Sequence, residues 1–307
     1  MYPPAFDYRR ASSVDDALSQ LSSDDGRDVR PIAGGHGLLP AMKTGELAPD
    51  VLVDIGNCEE LRGIERIDEG VVVGALTTHA ELVDSAVLRE RVPVLAQTAA
   101  AVGDVQIRTR GTIGGNLVEA DPGADVPAAL LATGARIRIQ GADGHRELRA
   151  ADVVGGPGET AVAHDELVTE IVVPDAACGA YVKRTHPSRG FAMVGVAAVV
   201  EVADGAIATA RLGAVGATER PIRLRSVEED LEGVAVDVID DERGEGGELI
   251  VDEAAIEAAA GLAAGDVDGR HQGDVHASGA FRAQLLGPTV AQAVSAALER
   301  ASRGEPA

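Results

Sequence analysis

The sequence predicts an α+β protein: two small α+β subdomains, then a C-terminal domain built from a three-stranded antiparallel sheet and helices. Three observations predict it. Short β-branched runs alternate with helical periodicity through residues 1–175. After residue 176, three longer apolar strands are joined by tight turns before the pattern becomes helical. Finally, two glycine turns, Ala33-Gly34-Gly35-His36-Gly37 and Thr112-Ile113-Gly114-Gly115-Asn116, each follow an extended or turn-like stretch and lead into apolar residues.

In the first subdomain, about 1–56, Val14, Leu18 and Leu21 repeat at helical spacing within 12–21. Val29 to Ala33 and Val51 to Ile55 read as strands, giving a small βαβ unit. The second subdomain, about 57–175, opens with the strand Val71 to Ala75. Thr78-His79-Ala80-Glu81 matches a capping box, and a helix is expected from Val87 to Ala101 ahead of the second turn. Strands Ala135 to Gln140 and Leu167 to Val173 follow, closed by Pro174. In the C-terminal domain, 176–307, strands are expected at Tyr181 to Arg184, Ala192 to Val202 and Ile207 to Val215, with Asp204-Gly205 as a hairpin turn. Asp252 caps a helix from Glu253 to Ala264 that stops at Gly265, and Pro288 is placed as a first helical residue. Asp240 to Glu248, acidic and glycine-rich, reads as a solvated loop.

Composition narrows the function. A net charge of -23 over 307 residues repels phosphate backbones, which excludes nucleic acid as a partner. Only Lys43 and Lys183 are lysines among 27 basic residues. Excess carboxylate with scarce lysine fits a surface adapted to high salt, where screening removes self-repulsion; the alternative is an ordinary acidic cytosolic protein. Two cysteines, Cys58 and Cys178, cannot supply the four thiolates of an iron–sulfur cluster. The first residues lack the apolar run of a signal peptide, and no stretch is long and apolar enough to span a membrane, so a cytoplasmic location is expected.

Glycine lets backbone N–H groups approach an anion with no Cβ in the way, so two such turns can grip the two phosphates of one dinucleotide. The familiar fingerprints fail. Gly35-His36-Gly37-Leu38-Leu39-Pro40 breaks the Rossmann pattern at its last position, and Met42 before Lys43 breaks the P-loop pattern. His271 and His276, near Asp266, Asp268 and Asp274, lack metal-ligand spacing and read as a surface acidic loop.

The segments Ala33 to Pro40, Arg108-Thr109-Arg110-Gly111 through Leu117, and Ala120-Asp121-Pro122 with Asp125 resemble the flavoprotein (medium) subunit of molybdenum hydroxylases. The nearest type is aerobic carbon monoxide dehydrogenase, with a related domain in xanthine dehydrogenase. Tyr2-Pro3-Pro4, Gly213 to Ala217, Asp274 to Ser278 and Phe281-Arg282 extend the resemblance over nearly the whole chain. It implies a vanillyl-alcohol-oxidase (PCMH) type FAD-binding domain. It also implies that both glycine turns bind the FAD pyrophosphate, with Asn116 donating from its side-chain amide. Asp125 corresponds to a family FAD contact, accepting from ribose or ribityl hydroxyls; the competing reading is a helix N-cap. Lys183 corresponds to a flavin-side lysine of the xanthine dehydrogenase relatives; the competing reading is a solvated strand lysine. Phe191 stands where some relatives carry a tyrosine beside the isoalloxazine.

The function implied is an FAD electron-transfer subunit with no catalytic base of its own. It takes electrons from the 2Fe-2S clusters of a small subunit, fed by a molybdopterin large subunit, and passes them to an external acceptor. The assembly expected is a heterotrimer that dimerises. Two other readings of the same chain are a self-sufficient FAD oxidoreductase and a non-catalytic docking subunit.

Overall fold

The computed structural model describes residues 2–22, 26–186, 190–240 and 247–302. The first unit is a parallel three-stranded sheet in the order Asp7–Arg10, Val51–Asp54, Val29–Ile32. Its outer strand Asp7–Arg10 was not foreseen, because the polar run Asp-Tyr-Arg-Arg lies mostly exposed at the sheet edge and carries no alternation. The helix Val14–Leu21 is capped by Ser13, whose hydroxyl accepts from the Asp16 amide. Val14, Ala17, Leu18 and Leu21 bury its apolar face against Val29, Val51 and Val53.

The second unit centres on an antiparallel sheet ordered Ile64–Ile67, Gly70–Gly74, Leu167–Pro174, Arg136–Gly141, Gly144–Arg149. The expected capping box is present: Thr78 and Glu81 each bond the other's backbone amide. The helix expected from Val87 to Ala101 is instead two, Ala86–Arg91 and Pro93–Ala101. Pro93 has no N–H and disfavours helical geometry at Val92 (φ -139, ψ 58), so the chain breaks there and restarts with proline at the first helical position. The helix Val126–Thr133 is buried along its whole length, joining this core to the C-terminal sheet. Gly213 has no Cβ because the Ala128 carbonyl of that helix occupies its place.

The C-terminal sheet has four strands rather than three: Gly179–Thr185, Ala192–Ala203, Ala206–Val215 and the two-residue Ile222–Arg223. The last is too short to show periodicity. Asp204 and Gly205 both take positive φ (53 and 73), as a type I′ hairpin requires. Helices Glu253–Gly261 and Gly279–Ser302 pack behind the sheet and share its core. Three expectations here are corrected. Pro288 lies inside a helix that starts at Gly279, where Ser278 accepts from the Phe281 amide. Packing against the strands Gly179–Thr185 and Ala192–Ala203 holds that helix together despite the missing donor. The helix from Glu253 ends at Gly261, and Gly265 falls inside a further short turn, Ala263–Asp266. Asp240 and Gly247-Glu248 belong to a hairpin pairing Val236–Asp240 with Gly247–Val251; residues 241–246 of the expected loop lie outside the described residues.

Candidate functional site

The fold brings the two glycine turns together. The strand Val29–Ile32 delivers the first turn, and a Cβ on Gly34 would collide with the carbonyl of Arg110, just ahead of the second turn. Gly35 sits at φ +74, a conformation that favours glycine. The backbone N–H groups of Gly34, Gly35, His36 and Gly37 make no hydrogen bond among the described residues. Four successive unbonded donors are chemically suited to an anion.

The second turn is built differently, which corrects the expectation that its glycines free backbone donors. Ile113 N–H donates to Thr77 O (3.0 Å) and Gly114 N–H to Ala75 O (2.9 Å). Gly115 N–H donates to the Thr112 hydroxyl (3.1 Å), and Asn116 N–H to Thr112 O (2.9 Å). Thr112 is thus the N-cap of the helix Ile113–Glu119. Gly114 is glycine because a Cβ there would stand 2.8 Å from the Ala75 Cβ and 2.9 Å from its carbonyl oxygen. What this turn leaves open is side-chain chemistry. Asn116 Oδ1 is buried without a partner, and so is Nδ1 of His79, whose ring packs on Gly111. His79 is 2 % exposed; burial, with Arg108 and His36 nearby, lowers its pKa to about 4, so the ring is neutral.

Beyond the second helix the chain runs through 120–125 against the C-terminal sheet. Ala192 N–H donates to Gly123 O (3.2 Å) and Gly216 N–H to Pro122 O (2.8 Å). Arg282, 4 % exposed, braces the same corner by donating to Met193 O (2.8 Å) and Gly216 O (2.9 Å) and pairing with Asp274 (2.9 Å). Phe191 is 38 % exposed, with its Cβ beside Gly123.

Asp125 and Lys183 form one buried unit. Lys183 donates to Asp125 (2.7 Å), Ala101 O (2.9 Å) and Gly190 O (2.5 Å), which uses all three of its protons. The Tyr181 hydroxyl donates to the other Asp125 oxygen (2.5 Å). The side chains of Lys183 and Asp125 are 7% and 4% exposed. Lys183 is therefore not a solvated strand lysine. Asp125 does not cap the helix after it, since its side chain makes no capping bond. Burial pushes the Asp125 carboxyl upward against the opposing pull of Lys183 and Tyr181, and it pushes the Tyr181 hydroxyl well up.

Sequence reasoning passed over His79, Tyr181 and Glu119. A signal existed for two of them. His79 is the first helical residue of a capping box that abuts the second turn, and Tyr181 shares a strand face with Lys183 two residues on. Glu119 carried no signal, because its contact is with a glycine eighty-two positions earlier.

The model of the family described as the FAD binding domain in molybdopterin dehydrogenase matches residues 4–176. The carbon monoxide dehydrogenase medium chain of Afipia carboxidovorans is 37% identical over 77% of this chain and 83% of its own. The 6-hydroxypseudooxynicotine dehydrogenase complex subunit alpha of Paenarthrobacter nicotinovorans is 33% identical over 98% of this chain and 97% of its own. A solved carbon monoxide dehydrogenase from Hydrogenophaga pseudoflava superposes with a TM-score of 0.88 at 32% identity, covering 98% of this chain and 99% of that one.

Proposed function

The chain belongs to the family of FAD-binding domains of molybdopterin dehydrogenases, and from that premise we infer that it is the electron-transfer subunit of a molybdopterin-dependent dehydrogenase. FAD supplies a centre that accepts and releases electrons. The reading assigns FAD binding to residues 1–175 and a C-terminal flavoprotein domain to 176–307. The unbonded amides of Gly34 to Gly37 are the observation that carries it, since they are ready donors for a pyrophosphate. Asn116 Oδ1, an acceptor, and His79 Nδ1 are buried polar atoms with no partner among the described residues; Oδ1 suits a hydroxyl of the cofactor and the amides of the first turn suit its phosphates, so the residues present fit the cofactor.

In this reading Ala33 to Gly37 cradle one end of the pyrophosphate. The helix begun by Thr112, Ile113, Gly114 and Gly115 holds Asn116 beside the cofactor, its side-chain NH2 being the group able to donate to a phosphate. Asp125 and Lys183 act as a neutral pair behind the flavin rather than as a lone cation, because each already bonds the other. Electrons come from 2Fe-2S clusters on a partner subunit, and substrate chemistry belongs to a molybdopterin subunit. Cys58 is buried and only one other cysteine exists, so this chain holds no cluster of its own. No helix among the described residues is long and apolar enough to cross a membrane.

The test is co-expression with the neighbouring reading frames. Purification of this chain with one partner rich in iron and another containing molybdenum supports the assignment. Purification alone, with flavin that a small organic substrate reduces directly, overturns it in favour of a self-sufficient oxidoreductase.

A further inference from the structure

Glu119 ends the helix that starts at the second turn, and its carboxyl group reaches back to the first. A Cβ on Gly37 would overlap that carboxyl group, with Oε2 at 2.9 Å. Glycine at position 37 is thus what lets the carboxyl sit against the turn whose amides are unbonded. The Glu119 carboxyl makes no hydrogen bond or ion pair among the described residues. Its backbone is fixed: the helix is anchored at Thr77 and Ala75, and it terminates at Ala120 in the left-handed region (φ 49). The residue is exposed at the rim but its carboxyl lies against Gly37, and loss of water on that side, with Asp121 nearby, raises its pKa to about 7. An anion cradle with an unpaired carboxyl against it poses an electrostatic conflict, because a second anion disfavours the charged form.

We propose that Glu119 meets the cofactor's pyrophosphate as a neutral carboxylic acid donating to a phosphate oxygen, so that each cofactor taken up brings one proton from solvent with it. The proposal rests on the FAD reading and goes beyond it by adding a contact residue and a proton. The groups that face this corner are Asp121 from the following loop, His36 within the first turn, Arg110 beside Gly34, and His79 with Arg108 beneath the second turn. His79 is neutral throughout the neutral range. His36 lies within the first turn itself, so it needs its own control.

The experiment is calorimetric titration of FAD into the flavin-stripped full chain between about pH 6 and pH 9, in buffers of different ionisation heat. The pyrophosphate diester keeps fixed charge over this range, so any slope belongs to the protein. The wild type is expected to take up close to one proton per FAD near pH 8, its apparent Kd rising about tenfold per pH unit above about 7. Glu119→Gln is expected to bind with a nearly flat profile, while His36→Gln keeps the wild-type slope. A flat wild-type profile with no proton uptake overturns the proposal and leaves FAD binding intact, as does a Glu119→Gln variant that keeps the slope. If Glu119→Gln fails to fold, the wild-type proton count decides alone. A wild type that binds no FAD at any pH overturns both readings.

Discussion

Adding one methyl group at Gly34 separates a backbone clash from a side-chain contact. The new Cβ would run into the Arg110 carbonyl oxygen, 2.8 Å from its carbon and 3.1 Å from Gly111 Cα, all of it backbone. Nothing there can rotate away, so the two turns must part. Overpacking against a fixed neighbour costs about 1–3 kcal/mol. At Gly37 the nearest atoms the same methyl meets are the end of the Glu119 side chain, which can swing outward, so the fold loses little. Gly34→Ala is therefore expected to lower the urea midpoint of the apoprotein and to purify with far less flavin than wild type. Gly37→Ala should keep the apoprotein midpoint within error. The assay is urea unfolding of flavin-stripped protein, with flavin absorbance of the protein as purified. A Gly34→Ala variant with wild-type midpoint and flavin content would refute the claim that the turns touch through Gly34.

Lys183→Met should cost about 3–5 kcal/mol by stranding Asp125 in the interior, while the double variant Lys183→Met, Asp125→Leu recovers a large part of it; equal losses in both, read by urea unfolding, would contradict the buried pair. His79 has a folded pKa lowered to about 4, so the unfolded chain binds the extra proton and stability falls as pH drops from about 6.5 toward 4, by at most about 3 kcal/mol. A His79→Phe variant should lack that part of the pH dependence, and an unchanged slope would sink the assignment. With a net charge of -23, the chain should melt at higher temperature as potassium chloride rises to molar levels; a flat or falling melting temperature would remove the salt-adapted reading.

The two glycine turns were visible in the sequence because glycine marks close approach wherever it is required. What each turn does was not visible. The first keeps its amides unbonded, whereas the second uses those of Ile113, Gly114, Gly115 and Asn116 to cap a helix and dock it on Ala75 and Thr77. The difference lies in which carbonyls stand opposite, and that is a tertiary fact. Strands with clear runs, such as Ala192–Ala203, were legible from β-branched content and the Asp204-Gly205 turn. Asp7–Arg10 and Ile222–Arg223 were not, since edge position and length erase their periodicity. Pro288 misled because proline is commonest at a first helical position, while here the helix Gly279–Ser302 runs through it, held by the sheet beneath. Lys183 stood out as one of two lysines, yet its partner Asp125 lies fifty-eight residues away and only the fold pairs them.

We propose that this chain carries electrons between a partner's clusters and an external acceptor. Anaerobic stopped-flow mixing, followed at the flavin absorbance band, tests it most directly. The account predicts that the isolated chain retains FAD and is not reduced by small organic substrates, whereas the complex with its iron–sulfur and molybdenum subunits shows rapid flavin bleaching with the enzyme's own substrate. Rapid bleaching of the isolated, pure chain by such a substrate, or a complex whose clusters are reduced while the flavin stays oxidised, would contradict it.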